Sequence, residues 1–552
     1  MSALTGPHSR TTMLSRLADG TFDVLIIGGG ITGAGVAREA ALAGYRTALI
    51  ERDDFAAGTS SRSSRLVHGG VRYLEHGHLG LVFESSRERR LLLTLAPHLV
   101  RPLAFTWPVY EGARVPTWKL RAGLALYDAL ALFRNVERHA GLNASELLEL
   151  EPALSREGLT GGARYWDAAT NDTRLTLATA LGAAAAGAVL LNHAAVTGAL
   201  RARGGRLAGV TVRDHVANRD IEVRAAVVVN ATGPWSEATA ALIGERQGSQ
   251  VLGSAGTHIA VPRQRVGNHE AVTVVSPLDG RVMFVLPAGP HTIVGTTERP
   301  ARVGPDEIRA TEAEVTYLLQ SVNRLFPHAS LTPDDVISAW CGIRPLAAVR
   351  AGSDSAGSAS REHAIVHRAD GLVSITGGKL TTYRAMAADV LEHARREMPA
   401  AIRVARRGTQ PSATTPLPGG DFSSRASLTA ELLAVVHDRA IAEHLVHAYG
   451  MQWRQVWAYA ERDAVASQRI AEPLPYLMAE VAYAVEHEMA CTLSDMLIRR
   501  THVAFESRDH GRSVARHIAP VMGALLGWSD RQLAAALVAY DADAARIFRI
   551  DP

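Results

Sequence analysis

The chain has 552 residues, 47% hydrophobic and 20% charged, with a formal net charge of +3. That length exceeds what one hydrophobic core organises, so two or three domains are expected from an otherwise ordinary globular composition. The slight basic excess suits an anionic substrate or membrane surface and falls short of a nucleic-acid footprint, while two cysteines, Cys341 and Cys491, without a CxxC spacing leave neither a disulfide framework nor a metal set and favour a reducing cytoplasm.

Residues 1–20 carry Arg10 and Arg16 but no apolar run of signal-peptide length, and are expected to form a short frayed leader. FDVLIIG at 22–28 is a short apolar run entering glycines, as a buried parallel strand does. Residues 31–43 then read as a small-residue helix, and 46–50 as a second strand ending at Glu51. This βαβ unit carries Gly28, Gly30 and Gly33 in the GxGxxG spacing of a dinucleotide site. Gly28 permits the turn, Gly30 leaves the main chain bare for a pyrophosphate, and Gly33 lets helix and strand pack closely. The helix start at Ile31 and Thr32 faces the anion, and Glu51, followed by Arg52, is placed to accept the ribose hydroxyls.

The hydroxyl run Thr59, Ser60, Ser61 and Ser64 follows, suited to a second stretch of pyrophosphate and to a ribityl chain. After it comes RLVHGGVRY at 65–73. Residues 118–133 are apolar with cations at the start, which fits a buried helix or one lying in a membrane interface. Residues 175–200 lack Asp, Glu, Lys and Arg, yet Gly182 and Gly187 interrupt them. A helix to about 186 and a strand at 189–191 explain them better than a membrane span. A further strand at 225–229 runs into Ala231, Thr232 and Gly233, and another at 371–376 runs into Gly377 and Gly378. Residues 282–286 and 292–294 flank Gly289-Pro290 as a hairpin, and Thr311 with Glu314 forms a capping box before an apolar stripe. The Pro/Gly/Ser-rich stretch 408–424 reads as a linker, and the remainder, including 479–500, as helical.

A cofactor that threads so many separated segments fits FAD better than a loosely held nicotinamide. The fold expected is α/β: an FAD-binding Rossmann-like domain, which resembles the glutathione-reductase/D-amino-acid-oxidase type, an antiparallel-sheet substrate domain and a helical C-terminal domain. Nucleotide-binding parts are expected near 21–90, 160–240 and 340–400. Cap parts are expected at 91–159 and 241–339, the linker at 408–424 and the helical domain at 425–552.

The blocks TSSRSSRLVHGGVRYLEHG, VNATGPW, GTHIAVP, IVGTTE, CGIRPL and GGKLTTYR, in this order between 59 and 384, resemble the FAD-dependent glycerol-3-phosphate dehydrogenase family. LIRRT at 497–501 resembles that family's C-terminal domain more loosely. Arg65 stands where the family commonly has lysine and Glu298 where aspartate is common, and no calcium-loop pattern follows. The resemblance implies oxidation of glycerol 3-phosphate, electrons passed to a quinone, and peripheral contact with the cytoplasmic membrane, in a chain that could form a homodimer. It also implies cofactor contacts from Arg65, Leu66, His68, Gly69, Gly70, Val196, Trp235, Gly378, Lys379, Leu380 and Thr381. The nearest rival is an oxidase that passes the electrons to oxygen, followed by another hydroxyacid or amine oxidoreductase of the same fold.

A glyceryl phosphate needs cations of defined geometry, and arginine's planar fork matches phosphate oxygens in a bidentate way. Arg344 and Arg361 are the candidates for that clamp, each worth about 1.5–3 kcal/mol if desolvated. The loop at 351–360 between them is a candidate lid. Lys379 is placed either to offset charge developing on the reduced ring or to touch substrate oxygens, and the resemblance implies that Arg72 and Tyr73 line the substrate pocket. His258 is the expected general base.

Overall fold

The computed structural model describes residues 9–244, 252–276, 278–346, 363–403 and 410–552. Six of the seven residues of Thr21–Ile27 are buried, the mark of a strand covered on both faces. It pairs in parallel with Thr47–Ile50 and Arg219–Asn230, and Val189–Leu191 and Leu372–Thr376 extend the array. Antiparallel strands at Ala194–Arg201, Leu207–Asp214 and Ala364–His367 complete eight. One face is covered by Ile31–Leu42, Asp172–Ala185 and Tyr383–Glu397, whose alanines and glycines allow close approach. The strand ends that carry the glycine turns therefore meet along one edge.

The opposite face corrects the expectation of a frayed leader. Arg10–Asp19 is a helix, capped by the Ser9 hydroxyl, and it buries Met13, Leu14 and Leu17 against the sheet. Three apolar residues in so short a stretch are too weak a periodic signal to separate a docked helix from a tail.

A ten-stranded sheet stands beside the first. Val100–Tyr110 pairs antiparallel with Leu159–Thr170, and Leu252–Pro262 is flanked by His291–Gly295 and Ser338–Leu346. The expected hairpin is Val282–Ala288 with His291–Gly295. Leu159–Thr170 and Ser338–Leu346 both belong to this sheet, so it reaches past the edges drawn at 159 and 339. A β-rich run declares a strand without declaring which sheet it joins. The helix Glu312–Leu325 has its Thr311/Glu314 capping box, and Val315, Leu318, Leu319, Val322 and Leu325 are buried.

The stretch after residue 409 is no loose tether. Leu417 N–H bonds Leu95 O at 2.8 Å, and Arg38 donates to Thr415 O at 2.6 Å. Helices follow to Phe548, with one departure from the expected run across 479–500. Met478–His487 ends, Met489 adopts φ 59°, and Asp495–Arg500 forms a π-helical turn. No described helix is long and apolar enough to cross a membrane, and 175–200 divides between Asp172–Ala185, Val189–Leu191 and the strand after it. In Thr117–Leu130, Leu120, Leu124 and Tyr127 are buried while Trp118 is 72% exposed, so the helix is half-buried rather than internal.

Candidate active site

The first strand ends at Gly28, whose φ of 106° a side chain would strain. A Cβ on Gly33 would stand 1.9 Å from Gly28 O, so the turn and the following helix meet only if position 33 is bare. Ser60 Oγ accepts from Ile31 N–H at 2.9 Å at the helix start. Glu51 accepts from Gly29 N–H at 2.5 Å and Asp53 N–H at 2.8 Å, and burial pushes its carboxyl up to about 7.

From here a cavity of about 550 Å³ runs to Lys379. Of the expected cofactor residues it is lined by Gly28, Gly30, Ile31, Thr32, Glu51, Arg52, Thr59, Ser60, Ser64, Leu66 and His68. Farther along the chain, Val196, Ala231, Thr232, Gly233, Trp235, Gly378, Lys379, Leu380 and Thr381 line it as well. Five others do not, for reasons the contacts supply. Gly33 is a packing glycine. Ser61 Oγ turns back to Gly58 O, and Gly69 N–H bonds Asp167 at 2.9 Å. Gly70 borders a smaller chamber. Arg65, at φ 55°, points away: its guanidinium lies over Trp340 and Phe505 at 5.5 and 5.0 Å and reaches Asp172 at 4.0 Å. Within this motif the arginine on the cavity wall is instead Arg62, buried, with no hydrogen-bond partner for its Nε among the described residues. It lies inside the same hydroxyl-rich motif, which was the signal available for it.

The bare backbone, the hydroxyls and the unsatisfied Arg62 fit a dinucleotide with a long polar middle. Gly377 and Gly378 take φ 78° and 88°, and Met386 Cε would lie 2.2 Å from a Cβ on Gly378.

A chamber of about 110 Å³ adjoins the cavity, sharing Ser64, Leu66, His68, Tyr73 and Arg344 with it and adding Arg72, Arg281 and Glu298. Arg344 donates to Thr296 Oγ1 at 3.2 Å, and a Cβ on Gly256 would stand 2.8 Å from the guanidinium, so that glycine makes its space. Lys379 Nζ lies 3.7 Å from the Tyr73 ring centroid. Arg281, which carries no motif in the sequence, pairs with Glu298 at 3.1 Å. Arg361 and the loop at 351–360 lie outside the described residues.

His258 is 2% exposed and lines the larger cavity beside Ser64, which lines both chambers. Its Nε2 is 2.8 Å from Ser64 Oγ, and its ring stacks on Trp340 at 5.6 Å and 10°. Gly295 stands opposite it in register, where a Cβ would fall 2.2 Å from His258 Cδ2. Burial first, then Arg344 and Arg65, push the imidazole down to about 3, so it is neutral at ordinary pH.

Residues 23–384 match the FAD dependent oxidoreductase family, and 411–533 match the C-terminal domain of alpha-glycerophosphate oxidase. Glycerol-3-phosphate dehydrogenase 2 of Mycobacterium tuberculosis is 40% identical over 544 residues, covering 97% of this chain and 90% of that protein. The glycerol-3-phosphate dehydrogenase of Synechocystis is 36% identical over 528 residues, covering 93% and 94%. The crystal structure of the Bacillus halodurans glycerol-3-phosphate dehydrogenase complexed with FAD superposes with a TM-score of 0.80 at 29% identity, covering 98% of each chain. The chain is therefore a flavoenzyme, with FAD as its cofactor, and belongs to the FAD-dependent glycerol-3-phosphate dehydrogenase family.

Proposed function

We propose that the enzyme oxidises the C2 hydroxyl of sn-glycerol 3-phosphate to the ketone of dihydroxyacetone phosphate and passes the electrons to a membrane quinone. The observation that carries this reading is the small chamber itself: Arg72, Arg281 and Arg344 face it, and neutral His258 bonds Ser64, which lines both it and the cofactor cavity. Arg344, with its space kept by Gly256, is the principal phosphate anchor, and Arg361 is proposed as its partner. FAD, when bound, supplies the hydride acceptor. We place acceptance of the hydroxyl proton at His258 Nε2, the ring atom bonded to the Ser64 hydroxyl that lines both chambers; its basicity, depressed in the empty cavity partly by Arg344, recovers in part when the substrate's phosphate covers that charge. Lys379 brings positive charge to the same wall, where it offsets negative charge that develops on oxidation of the substrate.

The membrane part of the reading rests on exposed apolar residues of one segment and its neighbouring helix. Trp118, Leu126, Leu132, Phe133 and Val136 are exposed within a segment that also carries Lys119, Arg121, Arg134 and Arg138. Leu79 and Phe83 are exposed on the neighbouring helix Leu79–Leu95. Apolar and aromatic tips ringed by cations suit the headgroup region of an anionic bilayer.

The deciding experiment adds glycerol 3-phosphate to the purified flavoprotein without air. Bleaching of the flavin absorbance is expected, and none would overturn the substrate assignment. Admitting either a soluble quinone or oxygen then separates acceptors: fast reoxidation by quinone with little peroxide is expected, and stoichiometric peroxide would make the enzyme an oxidase.

A further inference from the structure

Two adjacent arginines of the helical C-terminal domain end on a single carboxylate behind the cofactor cavity. Asp54 is fully buried and follows directly on Glu51, Arg52 and Asp53, which line that cavity. Its carboxylate accepts from Arg499 Nε at 2.7 Å, Arg500 Nη2 at 3.1 Å and Asn192 Nδ2 at 2.9 Å, and from Arg500 Nη1. On an α-helix neighbouring side chains diverge by about 100°, at 3.6 residues per turn, and would not converge so. Asp495–Arg500 is instead a π-helical turn, with Thr501 N–H reaching Met496 O five residues back. Such turns give up regular geometry and are frequent at functional sites.

The same turn grips the segment a second way. Arg499 Nη2 bonds Asp495 Oδ1 at 2.6 Å, and Asp495 Oδ2 bonds His193 Nε2 at 2.9 Å. The His193 N–H donates to Asp53 O at 2.5 Å and the Ala194 N–H to Glu51 O at 2.8 Å. Residues 51–54 are thus held through the Asp54 carboxylate and through two of their carbonyls. Asp54, His193 and Asp495 have metal-ligand spacing, but the two guanidiniums already occupy the position a cation would take, so the cluster is an ionic latch between domains.

We propose that Asp54, Arg499 and Arg500 are positioning residues for the cofactor: through them the C-terminal domain fixes Glu51 where its carboxylate accepts the adenosine ribose hydroxyls. The proposal rests on assigning Glu51 to that ribose, and its test keeps the two apart. Deflavinated full-length protein is titrated by calorimetry with ADP and with 2′-deoxy-ADP. The wild type is expected to prefer ADP by about 10-fold, the value of a lost hydrogen bond to a charged acceptor. Asp54→Asn is expected to weaken ADP to the level of 2′-deoxy-ADP while leaving 2′-deoxy-ADP binding unchanged, a pattern that general loosening of the fold would not produce. A folded variant that keeps the full preference overturns the proposal, as does equal weakening of both ligands. Should Asp54→Asn fail to fold by circular dichroism, Arg499→Lys, which keeps the charge and loses the fork, decides by the same ratio. A wild type without any preference removes Glu51 from ribose recognition before a variant is made, and the proposal falls with it.

Discussion

Residue by residue, the site is built on absences of side chain as much as on reactive groups. His258 lies between the Trp340 ring and the bare Gly295, so its plane is set by stacking on one side and by open backbone on the other. His258→Ala should keep FAD bound and lower turnover at least about 100-fold, the usual worth of a general base; near-normal turnover would remove the residue from the mechanism. Gly295→Ala pushes a methyl into Cδ2 and should lower kcat by about 10-fold or more through misplacement, with flavin content unchanged and KM moved less. The neutral state of His258 also has a stability consequence. Its folded pKa, about 3, lies below the unfolded value of 6.5, so as pH falls the unfolded chain takes up the proton first. Stability from this group is complete above 6.5 and is lost toward 3. Between pH 6.5 and 5 the wild type should therefore lose about 1.6 kcal/mol that His258→Asn does not lose, read from paired urea titrations.

Among the elements, the helix Glu312–Leu325 ties its own start to the site. Glu314 closes the capping box and also accepts from the hydroxyls of Thr257 at 2.9 Å and Thr297 at 2.6 Å, the first adjoining His258. Glu314→Ala removes acceptors from two buried hydroxyls and should cost about 2–4 kcal/mol in denaturant titration. The Thr117–Leu130 helix is argued from its outer face. Trp118→Glu with Phe133→Glu should abolish flotation with anionic liposomes at low salt while leaving soluble-acceptor turnover intact; undiminished flotation would move the membrane contact elsewhere. The sequence made the glycine turn, the capping box and the hairpin readable because each rests on interactions within about a dozen residues. It left unreadable whatever a distant partner decides. Arg65 is carried off the cavity by Trp340 and Phe505, both far along the chain, and Arg62 takes the wall in its place. The helix at Arg10–Asp19 is stable only because a sheet built mostly from later strands receives its apolar side. The strand at Ser338–Leu346 chose its sheet by pairing with Leu252–Pro262, a register no local pattern encodes.

At the scale of the whole molecule, the C-terminal helices are not an appended module. Trp107, Tyr165 and Trp340 of the ten-stranded sheet, which is antiparallel except where Ala271–Val275 pairs in parallel with Val100–Tyr110, share one hydrophobic cluster with Val481, Met496 and Phe505 of the helical region. Ion pairs continue that contact into the nucleotide domain, where Arg174 meets Glu488 at 2.8 Å and Asp54 meets Arg499 at 2.7 Å. Breaking either buried pair one partner at a time leaves an uncompensated charge, so separation of the domains is costly from both sides. Cofactor and fold are then linked through a single cooperative unit. FAD held at 100 times its dissociation constant stabilises a protein that binds it only when folded by about 2.7 kcal/mol. Removing it should lower the midpoint of thermal unfolding by several degrees, and far-UV circular dichroism and tryptophan fluorescence should move together. The eight tryptophans report on both regions, since Trp453 and Trp457 lie in the helical domain and Trp107, Trp166 and Trp340 in the ten-stranded sheet. A helical transition that stayed at one temperature while the remainder shifted with FAD would show that the C-terminal domain unfolds on its own, contrary to the shared core.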